Sequence, residues 1–292
     1  MRSTSVPGEE PRSAAIRVSR PGSPHQLPSR DWLLSCRLIL ALGFIGMAVG
    51  SMIAPSTGVA QFSVSPVITT LPIHGGDQPV SGLVSVRNES ETTKQFLLSI
   101  VDFDQSPDGD HSYSSPGTLH GSCGDRVEVT PVALSIGAGE VEDFRIEIPA
   151  GAPERSCWFM VFVESPAASE TGVIINQRIG VKVFGIGAST MPGGEIRTAS
   201  LDESGETRTV SLEYENPGDA PAWPIGSLEV RDYHGAVVAA TPVRQFTVLP
   251  RSSRRIVVEL PHDLESGRYL AVPMLDFGGA YLAGTQLPFR VP

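Results

Sequence analysis

Apolar and polar residues alternate with a period of two through nearly all of the chain after Gln61, and that period dictates strands. Residues 209–216 (TVSLEYEN) put Val210, Leu212 and Tyr214 on one face and Thr209, Ser211, Glu213 and Glu215 on the other. Residues 142–148 (EDFRIEI) set Phe144, Ile146 and Ile148 against Asp143, Arg145 and Glu147, and residues 254–260 (RRIVVEL) turn Ile256, Val258 and Leu260 inward. A strand sends successive side chains to opposite faces, so each run reads as a half-buried strand of an antiparallel sheet. Turn-forming clusters follow at short intervals, as in Asn216-Pro217-Gly218-Asp219 and Gly137-Ala138-Gly139. No stretch here has a helical period with caps, so the chain is all-β and built of sandwiches.

An internal repeat sets the number of sandwiches. Residues 80–88 followed by 94–103 match 208–216 followed by 225–233, each pair being strand, Asn-containing turn, strand. Residues 134–149 match 248–261, and Cys157 aligns with Tyr269. The offset falls from 128 (Asn88 to Asn216) to 112 (Pro149 to Pro261), so the first copy holds about 16 extra residues, within 104–123. The expected organisation is an N-terminal segment, 1–60, followed by two tandem immunoglobulin-like antiparallel sandwiches, 61–187 and 188–292. Gly185-Ile186-Gly187 and Pro192-Gly193-Gly194 bracket the hinge.

Composition and the first 60 residues narrow the setting. Net charge is −10 over 292 residues, which repels phosphate backbones and excludes nucleic acid as a partner. Residues 1–31 are rich in Arg, Ser and Pro and cannot bury a core. Arg37 then precedes an apolar run from Leu38 to Ala54 and a small-residue end at Gly58-Val59-Ala60. This describes a secretory signal cleaved after Ala60. The alternative is an uncleaved membrane anchor formed by 38–54. Either places the rest of the chain outside the cytoplasm, in the periplasm or an equivalent compartment. Beyond residue 60 there are two cysteines, Cys123 and Cys157, without a CxxC spacing. In an oxidising compartment they read as a structural disulfide, the alternative being two buried thiols that never meet.

Several segments resemble a known family. Phe62-Ser63-Val64-Ser65-Pro66, the Val84–Asn88 strand with its Asn turn, the Asp102-Phe103 strand end, Leu134-Ser135-Ile136-Gly137-Ala138-Gly139 and Arg178-Ile179 are similar to the N-terminal domain of periplasmic pilus-assembly chaperones (PapD-like). The resemblance covers 62–186; the second half is more like a generic secreted immunoglobulin-like module. It implies binding of a partner subunit by strand addition. In that family an Arg on the first strand and a Lys on the last anchor the subunit's terminal carboxylate. Here residues 62–72 contain no Arg, and Gly180 stands where the Lys belongs, with Lys182 one repeat further on. That clamp is therefore not carried over.

No catalytic constellation is present: no Gly-x-Ser-x-Gly, no phosphate loop, no His-Glu-x-x-His, and no cofactor is implied. His74, His111, His120, His234 and His262 all lie in or beside turn-rich segments and read as surface histidines. Asp102, Asp104, Asp108 and Asp110 form a weak calcium candidate, against which stands a plain solvated hairpin loop. Two functional readings remain: a chaperone-like protein holding strands of envelope or pilus-type partners, or a structural or adhesive envelope module. Membrane contact is confined to the N-terminal segment.

Two expectations concern geometry. In an immunoglobulin-like topology the strands entered after Cys123 and at Cys157 start from the same end of the sandwich, which permits a bridge. Residues 157–163 (CWFMVFV) and 96–103 (FLLSIVDF) are apolar on both faces. If Cys157 faces the core, Trp158, Met160 and Phe162 face outward beside Leu97, Val101 and Phe103. That face, with an edge strand near Val173 and Ile175, is the expected partner-binding surface, unless the second domain folds over it.

Overall fold

The alternating runs pair as sheets because each buries one apolar face and satisfies its peptide groups in the ladder. The computed structural model describes Val18–Ser19 and residues 61–292 apart from 75–77, 152–153 and 167–176. After β1 (Val18–Ser19), ten strands follow: β2 (Phe62–Ser65), β3 (Ile68–Ile73), β4 (Val80–Asn88), β5 (Lys94–Gln105), β6 (His111–Ser114), β7 (Glu128–Thr130), β8 (Ala133–Ile136), β9 (Val141–Ile148), β10 (Cys157–Ser165) and β11 (Gln177–Gly187). Eight more complete the chain: β12 (Glu195–Asp202), β13 (Thr209–Asn216), β14 (Ile225–Asp232), β15 (Val237–Val243), β16 (Ser252–Glu259), β17 (Gly267–Asp276), β18 (Tyr281–Gly284) and β19 (Leu287–Val291). Among the described residues there is no helix, and so none long and apolar enough to cross a membrane.

The first sandwich stacks sheet β2-β4-β9-β7 on β3-β11-β10-β5, with β6 and β8 both pairing β5. The second stacks β12-β13-β16 on β18-β17-β14-β15, with β19 on β17 and β1 on the β18 edge. All pairings are antiparallel except β3 with β11. One core holds Val84, Val86, Phe96, Phe144, Ile146, Phe159, Val161, Val181 and Val183; the other holds Val210, Leu212, Tyr214, Leu228 and Ala271. Full burial of such a large apolar side chain contributes about 1.5–3 kcal/mol. The fold is thus all-β and made of two immunoglobulin-like sandwiches.

Cys123 and Cys157 are joined, with Cα atoms 5.7 Å apart. The bridge ties the 115–123 loop to the first residue of β10. Buried Asp102 organises the same loop: Oδ2 accepts from the Thr118 and Leu119 amides at 2.8 and 2.9 Å, and Oδ1 from the Ser122 hydroxyl. The four aspartates do not converge, because Asp102 is spent on the loop and Asp108 pairs with Arg255 at 2.7 Å. Among the described residues no three metal-ligating side chains come together.

Strand β10 has the parity expected of it: Cys157, Phe159, Val161 and Val163 lie in the first core, and Met160 and Phe162 on the other face. That other face is not open to water. Phe103, Met160, Phe162 and Phe184 form a third buried cluster with Leu249 of the second sandwich, flanked by Val101, Trp158, Ile186 and Trp223. Met160 and Phe162 keep 3% and 4% of their surface. The expectation of an exposed Trp158–Met160–Phe162 patch is corrected: an apolar face of this size is buried against the nearest apolar surface, here the 223–249 region.

Candidate functional site: an open strand edge beside a cationic cluster

The site begins where the chain changes sheets. Strand β2 pairs with β4, and after Pro66 the chain crosses to the other sheet as β3. Strand β3 therefore reaches β11 late. Its register starts at Ile68 opposite Lys182, where the Lys182 amide donates to the Val67 carbonyl at 2.9 Å. On its other side β11 pairs with the whole of β10, from Gln177–Ser165 to Gly185–Cys157. Residues 177–181 thus have a neighbour on one side among the described residues. A strand residue aims its N–H and C=O the same way, so Arg178 and Gly180, of the same parity as Lys182, present theirs to the open edge.

Side chains shape this edge. Any Cβ at Gly180 would collide with the Met160 sulfur, so the close approach of β10's apolar face requires glycine there. The Arg178 guanidinium lies 4.0 Å from the centroid of Phe162 and pairs with Glu164 at 3.5 Å. Tyr113 of β6 meets Phe162 edge-on at 5.1 Å.

At the inner end of the edge three basic side chains from three elements lie within electrostatic reach of one another: Lys182 of β11, His111 of β6 and Arg254 of β16. Burial lowers the Lys182 pKa from its ordinary value, and Arg254 lowers it further. The His111 pKa is lowered by burial, then by Lys182 and Arg254, with Asp110 offsetting in part. Arg254 Nε and Nη1 and His111 Nε2 are buried without a hydrogen-bond partner. Buried donors are normally satisfied, and a forked guanidinium beside an ammonium matches a carboxylate's two oxygens.

The residues expected from sequence are distributed around this site. The half-buried Trp158 donates its indole N–H to the Phe103 carbonyl at 3.0 Å. Phe103 is buried, Val101 half-buried, and Leu97 remains 52% exposed further along β5. Val173 and Ile175 lie outside the described residues, as does the signal or anchor segment. His111, read from sequence as a surface histidine, is instead packed against Phe103, its ring centroid 5.6 Å away. Arg254 escaped sequence reasoning, since nothing in Arg254-Arg255 at a strand start separates a site residue from a solvated one. Lys182 carried a signal, being one of two lysines in the chain and set in an apolar strand.

No family model and no curated protein matches the chain. Solved structures similar to it include chaperones of pili and fimbriae. The class 5 fimbriae chaperone CfaA is 14% identical, with 79% of this chain and 99% of that one covered at a TM-score of 0.46. The YadV chaperone is 15% identical, covering 80% and 100% at 0.43. The CsuC–CsuE chaperone–tip subunit complex of Acinetobacter baumannii is 16% identical, covering 68% and 91% at 0.42. Likeness at this level is one of shape, and function is left to the residues.

Proposed function

We propose that the chain is a non-enzymatic, extracytoplasmic binding protein that holds an extended segment of an envelope or pilus-type partner, in the manner of a chaperone. Residues 61–187 and 188–292 act as two domains in this reading, with the site at their junction. The observation that carries it is the one-sided pairing of residues 177–181 next to the cationic cluster. A partner strand laid parallel to β11 completes the ladder at Arg178 and Gly180. It stops where β3 begins, which brings its free C-terminal carboxylate to Lys182, Arg254 and His111. The anchor differs from the resembled family's clamp, since one of its basic side chains comes from the second sandwich and one from the inserted hairpin.

The test uses fluorescein-labelled twelve-residue peptides of alternating Val and Thr, with a free or an amidated C-terminus, followed by anisotropy. The free acid should bind about tenfold or more tighter than the amide, the usual range for a charged hydrogen bond. Arg178→Pro removes an edge donor that no described strand uses and should abolish binding of both peptides while the fold persists. Equal binding of acid and amide, or full binding to Arg178→Pro, overturns the reading.

A further inference from the structure

The extra residues of the first sandwich are not spent on that sandwich alone. Strands β5 and β6 form a hairpin whose pairing ends at Gln105 opposite His111, and whose tip, 106–110, reaches β16 of the second. There the Arg255 amide donates to the Pro107 carbonyl at 2.7 Å, and Arg255 Nη1 to Asp108 Oδ1 at 2.7 Å. Gly109, at φ +97°, lies so close to the Arg254 guanidinium that any side chain would strike it. The hairpin's own base covers the apolar face beneath, through Tyr113 on Phe162 and His111 on Phe103.

We propose that this hairpin is a strap that closes the anion cluster in the resting protein, and that a partner's carboxylate gains Arg254 by displacing its tip. The proposal rests on the binding reading above and adds its regulation. The grip is weak by construction: the Arg255–Asp108 pair is more than half exposed on both sides, and such pairs contribute little. At the tip Asp110 acts by its charge on His111, while Asp108 is paired with Arg255, so the closed strap covers Arg254 without giving its Nε and Nη1 a hydrogen-bond partner. Gly109 fits the closed state in particular, because a residue without a side chain can lie flat on Arg254 and still be lifted off.

Two variants with the full chain decide it. In Asp108→Cys/Arg255→Cys the strap is locked by a disulfide, verified by intact mass, with each single-cysteine variant as control. In Asp108→Ala/Gly109→Ala it is freed. None of these positions belongs to the open edge or the cationic cluster. The locked protein should bind the free-acid peptide at least tenfold more weakly than its single-cysteine controls, and the freed one up to about fivefold more tightly than the unmodified chain. Amide exchange at Arg255 and across 106–110 should accelerate in the freed variant. If all forms bind the peptide equally, the strap proposal is overturned while the binding reading stands. If no form binds, the binding reading fails, and exchange at Arg255 that does not change between the unmodified and freed proteins sinks the strap as well.

Discussion

The two sandwiches turn the same corner with different residues. In the first, buried Asn88 donates from Nδ2 to the carbonyls of Thr92, Ile136 and Gly137, and its own carbonyl accepts from the Gly139 amide. In the second, buried Asn216 donates to Ala220, Val248 and Leu249, and its carbonyl accepts from the Arg251 amide. Gly139 and Arg251, separated by the 112 residues of the repeat offset, both have positive φ, +72° and +57°. Glycine takes that conformation without cost, whereas a side chain pays about 1–2 kcal/mol. The comparison teaches that the asparagine is the fixed part of this corner and the left-handed residue the tolerant one. The copies also part company at the β10–β17 equivalence, where Cys157 anchors a disulfide and Tyr269 stacks on Phe289 and donates its hydroxyl to the Glu265 carbonyl at 2.8 Å.

The asparagines offer the hardest test of the likeness. Asn88→Ala and Asn216→Ala each leave buried carbonyls without donors and should each cost about 3–5 kcal/mol, read by urea denaturation. A difference of more than twofold between them would show that the corners are alike in geometry alone. Cys123→Ser/Cys157→Ser should cost about 2–4 kcal/mol. Amide exchange should place that loss in the first sandwich and spare β13 and β16. At the left-handed position, Gly139→Arg should cost about 1–2 kcal/mol and Arg251→Gly should gain about 0.5–1 kcal/mol, in opposite directions. Loss of stability in Arg251→Gly would mean that the arginine side chain compensates its own backbone.

The smallest expected effect concerns pH, and only the first sandwich carries the group responsible. The folded pKa of His111 lies below the ordinary 6.5, held down by burial, Lys182 and Arg254 against Asp110. As pH falls through about 6.5 the unfolded chain takes up the proton first, so stability present above that pH is lost below it. The denaturation midpoint should fall more steeply from about pH 7.5 to 5 in the unmodified protein than in His111→Gln. A bound carboxylate favours the charged forms of His111 and Lys182, so binding of the free-acid peptide should be accompanied by proton uptake, measured by calorimetry in buffers of different ionisation enthalpy.

Strand content and corner geometry were legible because they are local. Phe144, Ile146 and Ile148, and Val210, Leu212 and Tyr214, are buried as the alternation requires. The two asparagines and the two offsets mark equivalent turns in the sequence. The apolar Trp158–Met160–Phe162 face was legible as a face, but not as a covered one. Nothing in CWFMVFV distinguishes burial against a partner from burial against Leu249 and Trp223 of the same chain, since apolar burial is non-directional. The histidine reading failed for a related reason: His111 sits in a turn-rich segment, yet the hairpin folds back over Phe103.

By itself the sequence determined the all-β class, the repeat, the corners, and the parity of each strand, all of which follow from periods of a few residues and the φ preferences of Gly and Asn. Tertiary structure alone decided where β3 joins β11, and hence which five residues have a strand on one side only among the described residues. It also decided that Lys182, His111 and Arg254, separated by up to 143 positions in the chain, share one patch of space. The physical reason is range. Backbone alternation acts between neighbours, whereas the meeting of charges from three strands depends on how two finished sandwiches and one hairpin pack.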